Sequence, residues 1–221
     1  MSLPLSETAV RVLGALIEKD MTTPEYYPLS RNALVNACNQ KSNRHPVVGY
    51  DEPTAARAIE SLREKKLALV LTGRGHRVPK YRHWAWETLG LGPREMAVLC
   101  VLMLRGPQSV GELKERTQRM YDFDDLASVE VCLDQLIERQ PDPLVAKLAR
   151  QPGAREPRYA HLLSGEVWPS EPEAPPAPVK TLAPRDASAD RIAKLEFDLD
   201  ELRSEVLEIQ EQLSDFRKQF E

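Results

Sequence analysis

The sequence predicts a mainly α-helical protein with small β-hairpins, arranged as two tandem winged helix-turn-helix domains and a C-terminal coiled-coil helix. The first observation is an Arg-x-Pro-basic-Tyr-x-His motif at residues 77–83 that recurs at residues 155–161. The second is that each half contains three segments whose apolar residues follow the helical period. Two short segments typical of β-strands come after them in each half. The third is a heptad pattern over residues 190–221.

Other blocks of sequence are repeated as well. A Ser-x-x-x-Leu block that begins at Ser30 recurs at Ser109, 79 positions later. An aliphatic-x-x-Leu-x-Glu block that begins at Ile59 recurs at Leu133, 74 positions later. Because loop insertions change such offsets, the pattern indicates a tandem duplication of one small domain. The predicted boundaries are residues 1–88 for the first domain and 89–163 for the second.

Local signals place the elements of the first domain. Ser6 and Ser30 are suited to cap its first and second helices, and Asp51 opens the third. Two strands near residues 69–71 and 78–82 then flank a glycine-containing turn, which predicts a hairpin.

The second domain repeats this order. Pro93 lies in the first turn of its first helix, and Ser109 with Glu112 forms a capping box for the second. A third helix is predicted from Asp125 to Arg139. The predicted hairpin strands are residues 144–148 and 158–162.

Two segments follow the domains. Residues 164–189 contain six prolines among Ala, Ser and Glu, which predicts an extended flexible linker. The heptads after it predict a homodimeric coiled coil, with packing back onto the chain's own domains as the alternative. The predicted oligomerisation residues are Ile192, Leu195, Leu199, Leu202, Val206, Ile209, Leu213 and Phe216.

Composition narrows the class of protein. No apolar run reaches the ~20 residues of a membrane span, and no signal peptide precedes Ser6. The three cysteines are far apart, which favours buried thiols and a cytoplasmic location. The net charge of −4 divides into +5 for residues 1–86, −2 for 87–163 and −7 for 164–221. A polyanionic partner should therefore prefer the first domain.

Three segments, residues 27–46, 104–109 and 152–161, closely resemble the signature of the YceH family of bacterial proteins. The first of them reads Tyr-Pro-Leu-Ser-Arg-Asn-Ala-Leu-Val-Asn-Ala-Cys-Asn-Gln-Lys-Ser-Asn-Arg-His-Pro. The resemblance covers residues 3–163 and leaves out the proline linker and the heptads. It implies tandem winged-helix domains, in agreement with the pattern above. It implies no activity, because the family is uncharacterised and has no assigned binding or catalytic residues.

Two acid-free stretches of the first domain indicate a nucleic-acid interface. No acidic residue lies between Tyr26 and Tyr50 or between Leu67 and Trp86, where the second helix with its turn and the hairpin are expected. Both stretches are expected to flank the third helix on one side, although the turn cations could also be merely solvated. The predicted DNA-binding residues are Arg31, Lys41, Arg44, Arg57, Arg74, Arg77, Lys80 and Arg82.

The second domain has a different predicted role. Glu130, Asp134 and Glu138 recur every four residues on the exposed side of its third helix and would repel phosphate. We expect this domain to dock on the first domain or to bind a protein. The four histidines are scattered and lack metal-ligand spacing, and His83 and His161 hold equivalent places that favour a structural role. No catalytic motif, metal site or cofactor is predicted.

Two functions fit this sequence. The first is a cytoplasmic, homodimeric protein that binds duplex DNA through its first domain, as a transcriptional regulator does. The second is a protein-interaction scaffold that uses tandem winged helices as adaptors, which rests on analogy of fold. A ligand-sensing regulator is a third reading, but no sensor pocket can be recognised in the sequence.

Overall fold

The computed structural model describes residues 4–73, 76–150 and 156–165, which all belong to one compact unit. This part of the chain is mainly helical, with seven α-helices and two small antiparallel hairpins. The predicted coiled-coil helix and nearly all of the predicted linker lie outside the described residues. The eight heptad residues from Ile192 to Phe216 therefore keep their role only as a prediction.

The first half contains three α-helices and a hairpin, in the predicted order. Ser6, Ser30 and Asp51 cap the three helices, and each side-chain oxygen accepts a backbone N–H three residues further on. The caps thus begin the helices where the sequence predicts. The elements are α1 (Glu7–Thr22), a 3-10 turn (Pro24–Tyr26), α2 (Arg31–Cys38), α3 (Glu52–Glu64), β1 (Ala68–Gly73) and β2 (His76–His83).

The second half repeats the order after a short helix that the sequence did not predict. That helix, α4 (Ala85–Leu89), has no side-chain cap and ends at Gly90, whose φ is 60°. The predicted capping box of Ser109 and Glu112 is present in full. The remaining elements are α5 (Pro93–Arg105), α6 (Val110–Thr117), α7 (Leu126–Glu138), β3 (Val145–Lys147) and β4 (Tyr159–His161).

The tyrosine of the repeated motif marks the same backbone pairing in both halves. Tyr81 exchanges two backbone hydrogen bonds with Leu29, at 2.7 and 3.0 Å. Tyr159 exchanges two with Gln108, at 2.8 and 3.0 Å. Leu29 and Gln108 each precede the serine that caps the second helix of their half. The motif therefore recurs because it ties each hairpin to the start of that helix.

The two halves share one core, since their first helices pack against each other. Residues Met96 to Leu104 of α5 are all buried, as is most of α1. The closest approach is at Gly14, where an added Cβ would lie 3.0 Å from the Leu104 side chain and 3.2 Å from Met103. The Cys100 thiol donates to the Gly14 carbonyl oxygen at 3.4 Å. The two halves therefore depend on each other to bury α1 and α5.

Candidate nucleic-acid interface

The first hairpin presents two cations beside two leucines. In its register Leu69 is opposite Arg82 and Leu71 is opposite Lys80, and residues opposite each other in an antiparallel pair share a face. Tyr81, which lies between the two cations, points to the other face and is buried. Leu69 is 36% exposed, so this face is open to solvent. We call these four residues the hairpin face.

Arg82 is held in place by an aromatic ring. Its guanidinium carbon lies 5.2 Å from the ring centroid of Trp84, a cation–π contact. Its Nε atom is buried and has no hydrogen-bond partner among the described residues. The ring therefore restricts the orientation of this cation without neutralising its charge.

The base of the hairpin is fixed to α1 by hydrogen bonds. The Nδ1 atom of His83 accepts from the Ala85 amide at 3.2 Å, so a neutral ring carries its proton on Nε2, 3.0 Å from Asp20. Trp86 donates to the same Asp20 oxygen at 3.2 Å, and the His83 amide donates to the Tyr27 hydroxyl at 2.6 Å. Burial raises the pKa of Asp20, but these hydrogen bonds outweigh it and lower that pKa. The contacts agree with the structural role expected for His83.

Two further predicted cations lie on α2 and α3. Arg31, which is half exposed, has Glu52 at 3.5 Å and the Tyr81 hydroxyl beside it, and these contacts raise its pKa. Arg57 is exposed and donates to the Thr54 hydroxyl at 3.0 Å. An exposed ion pair contributes at most about 1 kcal/mol, so Glu52 can be exchanged for a phosphate at little cost.

The outer side of α3 is otherwise balanced in charge. Arg63 contacts both carboxylate oxygens of Glu60, at 2.7 and 2.8 Å. This agrees with the mixed composition of the helix. Arg57 makes no close ion pair among the described residues, although its charge helps to lower the pKa of Asp51 at the start of α3.

The prediction that Arg44 contacts DNA is wrong. Arg44 is only 6% exposed, and its guanidinium contacts both oxygens of Glu18, at 2.6 and 3.0 Å. It also donates to the Ala37 carbonyl and the Gln40 side chain, each at 2.9 Å. Burial raises the pKa of Glu18, but Arg44 reverses this and lowers it to about 2. Turning Arg44 towards a phosphate would leave the buried Glu18 carboxylate without its closest partner and with Lys19, at 3.6 Å, as its remaining ion pair among the described residues, which is strongly unfavourable.

The turn that carries Lys41 and Arg44 packs against the second half. The His45 amide donates to the Leu104 carbonyl at 2.8 Å, and the Arg105 side chain donates to Asn43. Lys41 itself is exposed. This turn therefore belongs to the junction between the halves, which the sequence did not indicate.

The eight predicted cations thus separate into three groups. Lys80 and Arg82 lie on the hairpin face, Arg31 lies beside the hydroxyl of Tyr81, which points to the other face of the hairpin, and Arg57 lies on the exposed side of α3. Lys41 and Arg44 lie in the turn at the junction. Arg74 and the side chain of Arg77 lie outside the described residues.

The third helix of the second half is acidic and exposed. Glu130, Asp134 and Glu138 all face solvent on α7, as the spacing predicts. Leu126 and Val131 on the same helix are 50% and 52% exposed. Such a surface repels phosphate, while its apolar side chains suit contact with a protein.

Among the described residues, no group of three or more His, Cys, Asp or Glu could hold a metal ion. Cys38, Cys100 and Cys132 are all buried, and burial raises the pKa of Cys38 and of Cys132 to about 12. Within the part of the chain that the structure describes, no helix is both long and apolar enough to cross a membrane.

Comparisons with known proteins identify the family. A family profile described as "Protein of unknown function, DUF480" matches residues 5–154. A UPF0502 protein of Pelobacter propionicus is 53% identical and one of Geotalea uraniireducens 52%, each over all of both chains. A UPF0502 protein of Photobacterium profundum is 44% identical over 96% of this chain and 98% of its own length. The first two relatives thus also match the linker and the heptads, which the YceH resemblance left out. The chain therefore belongs to the UPF0502 family of uncharacterised bacterial proteins, the YceH-like family that its motifs resemble.

Proposed function

We propose that this is a non-enzymatic protein that binds duplex DNA through its first half and acts as a transcriptional regulator. The observation that carries the proposal is the hairpin face, where Lys80 and Arg82 stand together on a hairpin segment without acidic residues. In the cell we propose a cytoplasmic homodimer joined by the C-terminal coiled coil.

The order of elements supports a winged-helix assignment. Three helices followed by a hairpin match that fold, in which the third helix enters the major groove and the hairpin contacts phosphates. In that arrangement Arg57 reaches the groove from α3, while Lys80 and Arg82 contact the backbone. Arg31 completes the set once it exchanges Glu52 for a phosphate.

Charge supports the restriction to the first half. The second half would present the acidic row of α7 where the first presents α3. Each phosphate contact releases counterions and contributes about −0.9 to the slope of log K against log salt. Four contacts, from Arg31, Arg57, Lys80 and Arg82, correspond to a slope of about −3.6.

The test removes two of these contacts. We expect Arg57→Gln combined with Lys80→Gln to weaken binding at low salt and to change the slope to about −1.8. Arg57 is exposed and Lys80 is partly exposed. Neither side chain forms a close ion pair with a described residue, so the fold should persist. The measurement is fluorescence anisotropy of a short labelled duplex across a salt titration.

The matched control is Arg94→Gln combined with Arg150→Gln, which removes the same charge from a partly exposed and an exposed position in the second half. The control should bind like the wild type. An unchanged slope in the Arg57 and Lys80 variant, or an equal loss in the control, would contradict the proposal.

A second function has one observation in its favour. The exposed Leu126 and Val131 adjoin the acidic row of α7, and exposed apolar side chains bordered by charge are typical of protein-binding surfaces. A scaffold function predicts that changing Glu130, Asp134 and Glu138 together to Lys abolishes capture of a partner. The scaffold function replaces the proposed DNA binding only if the wild type binds no duplex DNA at all.

A further inference from the structure

The exposed side of α7 combines acidic and apolar side chains. Glu130, Asp134 and Glu138 form a row one helical turn apart, and no side chain of the row has a hydrogen bond or ion pair with another described residue. Leu126 and Val131, which are 50% and 52% exposed, border this row. No lysine or arginine lies on α7, so its exposed side carries a single sign of charge. We call these five residues the α7 face.

The hairpin face of the first half has a similar composition and the opposite charge. The two leucines of β1 lie opposite Lys80 and Arg82 of β2, so apolar side chains adjoin both cations. Neither cation has an acidic group within ion-pair distance among the described residues, although Arg82 helps to lower the pKa of Asp20. Each face therefore offers charge without a close counter-charge, next to exposed apolar surface.

The charges on the two faces are also similarly spaced. A strand rises about 3.4 Å per residue, so Lys80 and Arg82 are about 7 Å apart along β2. A helix rises about 1.5 Å per residue, so Glu130 and Asp134 are about 6 Å apart along α7. Two ion pairs can therefore form at once when the strand lies along the helix, and this brings the apolar side chains of the two faces next to each other.

Within one copy each face stays uncovered. The inner side of α7 packs against α5, α6 and β3, while the hairpin packs against α1, α2 and α3. Leu69, Leu126 and Val131 remain exposed in this arrangement. Residues 164–221 carry a net charge of −7, which disfavours their binding to the acidic α7 face. A partner for the α7 face therefore comes from another molecule.

We propose that the hairpin face of one copy docks on the α7 face of a second copy of this chain. A second copy supplies two cations at the required spacing together with apolar side chains. The contact joins different surfaces of the two copies, so it is head-to-tail. Because few side chains contribute, it forms at high protein concentration and dissociates in dilute solution. Since it covers Lys80 and Arg82, it excludes duplex DNA from the hairpin face, a consequence that rests on the proposed function.

Carbodiimide cross-linking of the full chain tests this contact, because the reagent joins an amine to a carboxylate only where the two groups touch. Ordinary and isotope-labelled chains are unfolded in urea, refolded together and cross-linked at high concentration. We expect Lys80 of one isotope to be joined to a carboxylate of the α7 face of the other. Mass spectrometry of the digested product identifies such mixed pairs, which come only from two copies.

Two substitutions at exposed positions make the test specific. Leu69→Glu adds an acid to the hairpin face, and Val131→Lys adds a cation to the α7 face. Each variant alone should lose this cross-link by about tenfold or more, because like charges replace an apolar contact. Refolded together, the two variants should regain part of it, since the intact hairpin face of one chain then meets the intact α7 face of the other. The control is Val47→Glu, at a position 57% exposed between α2 and α3, which should cross-link like the wild type.

The contact is overturned if the wild type gives no such cross-link, if both variants still form it, or if their mixture does not regain it. Adding a short duplex separates this result from the proposed function. A lower yield of the cross-link with duplex supports a hairpin face shared between DNA and the second copy. A cross-link that saturating duplex leaves unchanged supports the contact between copies and contradicts the proposed DNA contact. Duplex binding without any cross-link supports the proposed function and overturns the contact.

Discussion

The turn between the second and third helices is built in opposite ways in the two halves. In the first half, buried Arg44 and Glu18 form an ion pair there, and Arg11 donates to the Pro46 carbonyl at 2.6 Å. In the second half, Phe123 is 2% exposed at this place and meets Tyr121 edge-on at 4.8 Å. Both turns connect helices with the same kind of cap. The repeated fold thus depends on the helix caps and on the backbone pairing of the hairpins. The side chains inside the turn differ between the two halves.

The ends of the two hairpins show the same divergence. His83 has a carboxylate and an amide as partners, whereas the Nδ1 atom of His161 is buried and has no partner among the described residues. Burial lowers the pKa of His161 to about 4. The repeated motif therefore places His83 and His161 at equivalent positions, but of the two only His83 is shown with a carboxylate partner among the described residues.

The largest effect is expected at the ionic turn. Glu18→Gln keeps the shape of the side chain but leaves Arg44 as a buried, uncompensated charge. We expect this to lower the free energy of unfolding by about 3–5 kcal/mol, as measured by urea denaturation.

Two further variants serve as comparisons for Glu18→Gln. Glu60→Gln breaks an exposed ion pair with Arg63 and should cost about 1 kcal/mol or less. Phe123→Leu keeps the second turn apolar and should cost about 1.5 kcal/mol or less. An equal loss of unfolding free energy in Glu18→Gln and Glu60→Gln would show that the buried Glu18–Arg44 pair does not stabilise the first turn.

The shared core predicts the next largest effect. Gly14→Val places a branched side chain within reach of Leu104 and Met103 and should destabilise the protein by about 1–3 kcal/mol. Because α1 and α5 bury each other, residues 1–163 should still unfold in one transition. Fluorescence and circular dichroism followed through the same urea titration check both points.

The control for this change is Gly111→Ala on α6, where an added Cβ meets only the Ser109 hydroxyl at 4.0 Å. It should stabilise the helix by about 0.5–1 kcal/mol. Separate transitions for the two halves would contradict a shared core.

The smallest predicted effect concerns pH. Since the folded pKa of His161 lies below its ordinary value of 6.5, the unfolded chain takes up the proton first as pH falls. His161 therefore stabilises the fold fully above about pH 6.5, and this contribution is lost progressively towards pH 4. Urea denaturation between pH 7.5 and 4.5 should show a steeper decline for the wild type than for His161→Gln. Parallel curves would contradict a neutral His161 whose Nδ1 atom is buried.

Much of the fold could be predicted from local signals. The serine and aspartate caps, the capping box and the repeated Tyr-x-His motif set the order and the starts of the helices and both hairpins. α4 was missed because it is five residues long and has no side-chain cap. The burial of α1 against α5 was also missed, since periodicity shows which side of a helix is apolar but not which neighbour covers it.

The candidate site could be predicted less well. A run without acidic residues located Lys80 and Arg82 correctly on one face, because alternation in a strand is a local property. The run without acidic residues did not locate Arg44 correctly, because its partner Glu18 lies 26 positions away. One available signal was that Arg11 and Glu18 directly flank the apolar run at residues 12–17 of α1, which indicates buried charges that need partners.

We propose above all that only the first half contacts DNA. Hydrogen exchange of the full chain, with and without a short duplex, tests it directly, because backbone amides at an interface exchange more slowly when covered. We expect slower exchange in β2 and α3 on addition of duplex, with α7 unchanged. Slower exchange in α7, with the hairpin unchanged, would contradict it.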